Sequence, residues 1–167
     1  MSSTPPDEVD RLVDAWQRER PDLDVSPMQV LSRVTRLARH LDLARRHAFA
    51  ERHLETWEFD VLTALRRAGA PYELSPGSLI RETMVTSGTM TNRVDRLEDK
   101  GLVARRPDPH DRRGVLVRLT KSGRASVDAA LQGLLEQERM LLDRLSPNQR
   151  VTLASLLRSV VSPFDEA

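Results

Sequence analysis

Apolar residues recur along most of this 167-residue chain at the three- and four-residue steps of helices buried on one side. Val9, Leu12, Val13 and Trp16 make the first such stripe, which follows Thr4-Pro5 and stops before Pro21. Proline lacks an N–H that the first turn of a helix would leave unpaired, so Ser/Thr-Pro marks a start, and a later proline marks an end. Ser26-Pro27 with Gln29 has the composition of a capping box ahead of Val30, Leu31, Val34, Leu37, Ala38 and Leu41, a helix predicted to run to about Phe49. Thr56 is placed to cap residues 57–68, with Phe59, Val61, Leu62 and Leu65 apolar and Gly69 as the stop. Ser75-Pro76 opens a short helix ending near Glu82. Thr86 or Ser87 caps the next, through Lys100 to Gly101, where a left-handed residue is wanted.

After Gly101 the period changes. Leu102-Val103 and residues 115–119 read as strands flanking a loop of Pro, Asp, His, Arg and Gly, a hairpin with a long tip. Thr120 then caps a helix carrying Val127, Leu131, Leu134, Leu135, Leu141, Leu142 and Leu145, and Ser146-Pro147 with Gln149 caps the last, carrying Val151, Leu153, Leu156, Leu157 and Val160. The predicted fold is mainly α with a small β-hairpin wing, a winged helix-turn-helix. Its predicted parts are an N-terminal extension helix (1–25), a dimerisation helix (26–54), a winged DNA-binding domain (55–120) and C-terminal dimerisation helices (121–167). The leucine-rich helices carry more apolar surface than the small central domain can cover, which points to a homodimer; completion of a monomer core is the alternative.

Net charge is +1, but it is unevenly spread. Residues 1–26 hold seven acidic and three basic side chains, whereas 102–118 hold five arginines and two aspartates. A short basic stretch on a near-neutral protein suits a local anionic partner such as double-stranded DNA. The absence of cysteine excludes disulfides, thiolate zinc sites and thiol-based sensing. No apolar run approaches the length of a membrane span and the first ten residues are acidic, so the expectation is a cytoplasmic protein without membrane attachment. His40, His47, His53 and His110 lack metal-ligand spacing, and no catalytic arrangement stands out, so neither a metal site nor an enzyme is expected.

In the helix after Thr86, Met90, Val94 and Leu97 share one face. Ser87, Thr89, Asn92, Arg93 and Arg96 lie elsewhere, with hydroxyls, an amide and guanidiniums of the kind that base edges and phosphates require. Arg105, Arg106, Arg112 and Arg113 sit at the base and tip of the hairpin, where a wing can straddle a phosphate backbone. Asp111 is placed to orient the wing by a short ion pair with Arg113. A solvated charged surface is the plainer alternative for each element taken singly.

The strings 56–62 (TWEFDVL), 87–103 (SGTMTNRVDRLEDKGLV), 108–113 (DPHDRR) and 117–120 (VRLT) resemble the MarR family of bacterial transcription regulators, over about residues 27–161. The resemblance implies a homodimer with interlocked terminal helices, a recognition helix in the major groove, and a wing whose Asp111 and Arg113 fill the family's Asp-x-Arg pattern. The extra helix at 5–20 is similar to that of the family's urate-responsive branch. That likeness implies a ligand pocket of Trp16, Asp60, Arg93 and Arg105, taking a small anionic effector, urate-like or an organic acid, and no other cofactor. Relatives bearing these residues also favour tricarboxylates. On the residues alone, Trp16 is equally a core side chain, Asp60 a surface acid, and the two arginines phosphate contacts. The implied function is a repressor released from a pseudo-palindromic operator. The rivals are a tricarboxylate- or phenolic-acid-responsive regulator, and a winged-helix protein-interaction module that reads no DNA sequence.

Overall fold

The computed structural model describes residues 5–165, and the chain divides into two units, Met1–Ala44 and Arg45–Ala167. The first contains α1 (Glu8–Glu19) and most of α2 (Ser26–Ala50), a helix that continues into the second. Val9 and Val13 are buried against Val25, as the apolar stripe requires. The helix starts differ from the sequence expectation. Thr4 lies outside the described residues, and α1 is capped by Asp7, whose Oδ1 accepts the N–H groups of Val9 (2.7 Å) and Asp10 (3.1 Å). Asp10 returns the bond to the Asp7 N–H at 2.8 Å, completing a capping box with two aspartates. Ser26 is the first residue of α2, and its own N–H is taken by Asp24 Oδ1 at 3.0 Å. A carboxylate ahead of the serine thus does the capping expected of Ser26. Arg33, one helix away from Asp7, pairs with it at 2.9 Å and with Asp10 at 2.7 Å, and Arg36 pairs with Glu8. The Arg33 hydrogen bond, and then the Asp10 N–H, hold the Asp7 carboxyl down at about 2.

The second unit runs α3 (Thr56–Arg67), β1 (Glu73–Leu74), α4 (Pro76–Thr83), α5 (Ser87–Asp99), β2 (Val103–Pro107), β3 (Val115–Leu119), α6 (Lys121–Leu142) and α7 (Pro147–Asp165). The strands form an antiparallel sheet in the order β1-β3-β2, with Val103 opposite Leu119 and Glu73 opposite Arg118. The hairpin was anticipated; the two-residue β1 beside it was not. Thr56 is the first helical residue rather than the cap, and the Glu55 N–H is accepted by Glu58 Oε2 at 2.9 Å. Ser75, Thr86 and Thr120 cap α4, α5 and α6 with their hydroxyls, and Ser146 and Gln149 exchange the two bonds of a capping box at α7. Gly69 and Gly101 take the left-handed backbone that ends α3 and α5.

Phe49 stacks on Phe59 with ring centroids 4.1 Å apart. Around that pair Leu62, Leu65, Leu79, Met90, Leu97, Val117 and Val127 are buried, so α3, α4, α5, α6 and the sheet share one core. Gly123 seats α6 against the residue that follows the α5 stop, since a Cβ there would lie 1.9 Å from the Leu102 carbonyl oxygen. One carboxylate is inside this core. Glu58 is fully buried, and the Lys100 ammonium at the C-terminus of α5 meets its Oε1 at 2.6 Å. By contrast none of the described side chains of α7 is buried, and Val151, Leu156, Val160, Val161 and Phe164 stand exposed on it.

Candidate nucleic-acid interface and adjoining hollow

Burial of Met90, Val94 and Leu97 locks one face of α5 into the core, and Thr86 fixes its first turn by accepting the Thr89 N–H at 3.3 Å. Ser87, Thr89, Asn92 and Arg96 are therefore exposed and Arg93 half-buried. Met84, left-handed and almost fully exposed, makes the turn that sets α5 against α4. Thr89, Asn92, Arg93 and Arg96 share a shallow hollow of about 420 Å³ with Gly88 and Trp57. The arginines there are not equivalent. Arg96 lies 4.7 Å from the Trp57 ring and pairs with Glu55 at 2.8 Å, whereas Arg93 lies 5.5 Å from the ring and has no carboxylate partner among the described residues. Glu55 also accepts the Trp57 indole N–H at 2.6 Å. That bond, and then the Arg96 charge, hold the Glu55 carboxyl below its ordinary value.

The wing shows the same division. At its base Arg105 donates its backbone N–H to Glu98 at 2.8 Å and its guanidinium to Glu98 and Asp95. Arg106 pairs with Glu73 of β1, which is largely buried. At its tip Arg112 and Arg113 are exposed and have no acidic partner among the described residues. The short ion pair expected between Asp111 and Arg113 is replaced by a turn. Asp111 Oδ1 accepts the backbone N–H of Arg113 at 2.9 Å, and the Asp111 carbonyl accepts that of Gly114 at 2.9 Å. Asp111 thereby shapes the backbone of the tip and leaves the Arg113 guanidinium free. Gly114 is required there, because a Cβ would stand 2.9 Å from the Cβ of Asp108.

Of the four residues implied for an effector, Asp60 and Arg93 line one hollow of about 570 Å³ together with Arg46, Phe49, Leu54 and Trp57. Asp60 Oδ1 also faces Arg45 at 3.7 Å. Arg105 is not part of that lining. Trp16 belongs to the N-terminal unit, where it is about half exposed on α1 while Val9 and Val13 fill the core. Sequence reasoning passed over Glu55, Trp57, Glu58 and Glu73. Only the three-residue step from Glu55 to Glu58, the spacing of a capping box, could have flagged any of them. Among the described residues no cluster of three or more His, Asp or Glu side chains could hold a metal ion, and no helix is long and apolar enough to cross a membrane.

Residues 54–114 match the model of the MarR family. The HTH-type transcriptional regulator PecS of Dickeya dadantii is 39% identical over 153 residues, covering 92% of each chain. The HTH-type transcriptional repressor NicR of Pseudomonas putida is 33% identical over 150 residues, covering 87% of this chain and 92% of that one. Among solved structures, Bordetella bronchiseptica BpsR, described by its mechanism for regulation of DNA binding by 6-hydroxynicotinic acid, superposes with a TM-score of 0.64. It is 29% identical and covers 83% of this chain and 96% of its own.

Proposed function

The chain belongs to the MarR family of transcription regulators, and from that premise we propose that it is a repressor that binds a pseudo-palindromic duplex operator as a homodimer and leaves it when a small anionic effector binds. The observation that carries the reading is the combination of α5 and the wing tip. Ser87, Thr89, Asn92 and Arg93 are presented on a helix whose opposite face is buried, next to a hairpin whose outermost arginines, Arg112 and Arg113, have no acidic partner among the described residues. Such a helix can enter a major groove while such a tip reaches the flanking backbone or minor groove. The exposed apolar side chains of α7 support the dimer, since a second copy would remove them from water. The proposed place of action is the cytoplasm.

For the effector, the hollow beside Trp57 offers an indole face, the guanidiniums of Arg46 and Arg93 and the carboxylate of Asp60. Planar anions with ring N–H groups match that set, because guanidinium takes the charge, indole the ring and carboxylate the N–H. A urate- or purine-like molecule is the leading candidate, and a tricarboxylate or phenolic acid the alternative. Regulation of BpsR by 6-hydroxynicotinic acid favours a planar heterocyclic acid.

The test is a mobility-shift titration on the DNA immediately upstream of the chain's own reading frame, repeated with scrambled DNA and at increasing salt. Preferential binding to the upstream DNA is expected. Equal binding to both DNAs would leave only the non-specific electrostatic component and overturn the repressor reading. Adding urate, xanthine, citrate or trans-aconitate to the complex, with Asp60→Asn as control, tests the effector. A complex insensitive to all four would exclude this ligand class.

A further inference from the structure

At the junction of β3 and α6 a second set of cations surrounds a hollow that has no part in the function proposed above. Val117 and Leu119 are buried, so strand alternation turns Arg118 outward. Thr120 caps α6, accepting the Gly123 N–H at 2.9 Å, which makes Lys121 the first helical residue and sets Arg124 and Asp128 on the same face three and seven positions on. These side chains and Tyr72 line a cavity of about 550 Å³, within the range of small-molecule sites.

The charge in this cavity is uncompensated. Asp128 is the one carboxylate in the lining, and it is occupied by Arg66, whose Nε donates to Oδ1 at 2.7 Å. Arg118, Lys121 and Arg124 have no acidic partner among the described residues. Neutral groups hold two of them instead. Arg118 Nε donates to the Pro71 carbonyl at 3.1 Å, and the Arg124 guanidinium carbon lies 5.2 Å from the centre of the Tyr72 ring. Their positions are thus set while their charge stays available. The first turn of α6 holds no acid, although the helix dipole favours one there, so the dipole adds its positive end to the same point.

We propose that this hollow is a binding site for a small multivalent anion, a phosphate ester or polycarboxylate, held by Arg118, Lys121 and Arg124 at the N-terminus of α6. The anion neutralises like charges that otherwise repel one another and satisfies the free amides of the first turn. Leu119 and Ala125 line the same space and exclude water from one side of the contact.

Tyr72 is the only tyrosine in the chain, so protein made with 3-fluorotyrosine gives a single ¹⁹F resonance located at this site. Titration with pyrophosphate or citrate at constant ionic strength should shift that resonance saturably, and chloride should not. Lys121→Ala and Arg118→Ala should each weaken the apparent affinity about tenfold or more, as expected for loss of a charge-assisted contact, whereas Lys121→Arg should retain it. A shift that grows linearly and equally with chloride would overturn the site, as would saturable binding unchanged in both alanine variants. A shift produced by scrambled duplex DNA but by neither small anion would assign the cations to DNA backbone and overturn the small-anion proposal. Because none of these residues lies on α5 or the wing tip, operator binding can fail or succeed independently of this result.

Discussion

Replacing Lys100 by methionine strands a carboxylate in the core. Glu58 is fully buried, its Oε2 accepts the Glu55 N–H at 2.9 Å, and its Oε1 faces the Lys100 ammonium at 2.6 Å. Methionine keeps much of the aliphatic stem and removes the cation. Breaking a buried ion pair from one side costs about 3–5 kcal/mol, because the remaining charge has lost both water and partner. Lys100 is 41% exposed, so solvent already screens part of the attraction, and the lower end, about 3 kcal/mol, is expected. In a chain of this size that lowers Tm by roughly 10 °C. Glu58→Gln has a different consequence. The amide oxygen still accepts the Glu55 N–H, the ammonium relaxes into water, and the cost is about 1 kcal/mol. The double variant buries no charge and should lie within about 1 kcal/mol of wild type. Urea unfolding of the four proteins gives each stability and, through the cycle, the coupling. A Lys100→Met variant within about 0.5 kcal/mol of wild type, or a double variant no more stable than it, would refute the reasoning.

Gly123→Ala forces a Cβ to 1.9 Å from the Leu102 carbonyl, a backbone atom that no rotamer change can clear; thermal unfolding should show a loss of about 3 kcal/mol or more, and a stable variant would mean that α6 can slide. In the N-terminal unit the folded pKa of Asp7, about 2, lies below its ordinary 3.8. Its contribution is therefore complete above about pH 4 and disappears as pH falls toward about 2, so hydrogen exchange of the α1 amides, corrected for intrinsic rate, should accelerate through that window and Asp7→Asn should abolish the dependence. Arg113→Ala should lower the salt slope of DNA binding by about 1 with stability unchanged, whereas Arg106→Ala leaves largely buried Glu73 unpaired and should cost about 1–3 kcal/mol of stability. Equal effects of the two on the salt slope would show that the base of the wing carries free charge.

Local signals were readable in the chain and distant ones were not. Val9 and Val13, or Met90, Val94 and Leu97, declare their helices because burial repeats at helical spacing, and the hydroxyl caps at Ser75, Thr86 and Thr120 act within three residues of themselves. Caps made by carboxylates escaped: Asp7 caps three residues after the Thr4 that residue preference singles out, Asp24 stands two ahead of Ser26, and at α3 Glu58, not Thr56, takes the N–H of Glu55. β1 is two residues long and has no period of its own; Glu73 and Leu74 are strand only because Arg118 and Val117 arrive beside them from far along the chain. The same distance hid the electrostatics. Arg106 finds Glu73 and Arg96 finds Glu55 across 33 and 41 positions, so composition registered the guanidiniums but not the acids that neutralise them. Asp111 misled for the opposite reason: its partner is near, but a backbone N–H two residues on is easier to reach than a long, mobile side chain.

These pairings alter how the proposed effector can act on the proposed DNA face. Arg105 can contribute to a ligand only by giving up Glu98 and Asp95, and Arg96 only by leaving Glu55, so neither is a low-cost responder. Arg93 has no such tie. It lines both the hollow that opens on Asn92 and Thr89 and the hollow that contains Asp60, with Trp57 as the wall common to the two. An anion beside Asp60 and a phosphate beside Asn92 would therefore compete for one guanidinium, and by linkage each weakens the other's binding by the same factor. Trp57 adds direction to that competition. Arg96, anchored by Glu55, holds its place against the ring, so a movement of Arg93 toward the ligand leaves the proposed DNA face of α5 with one cation where it had two.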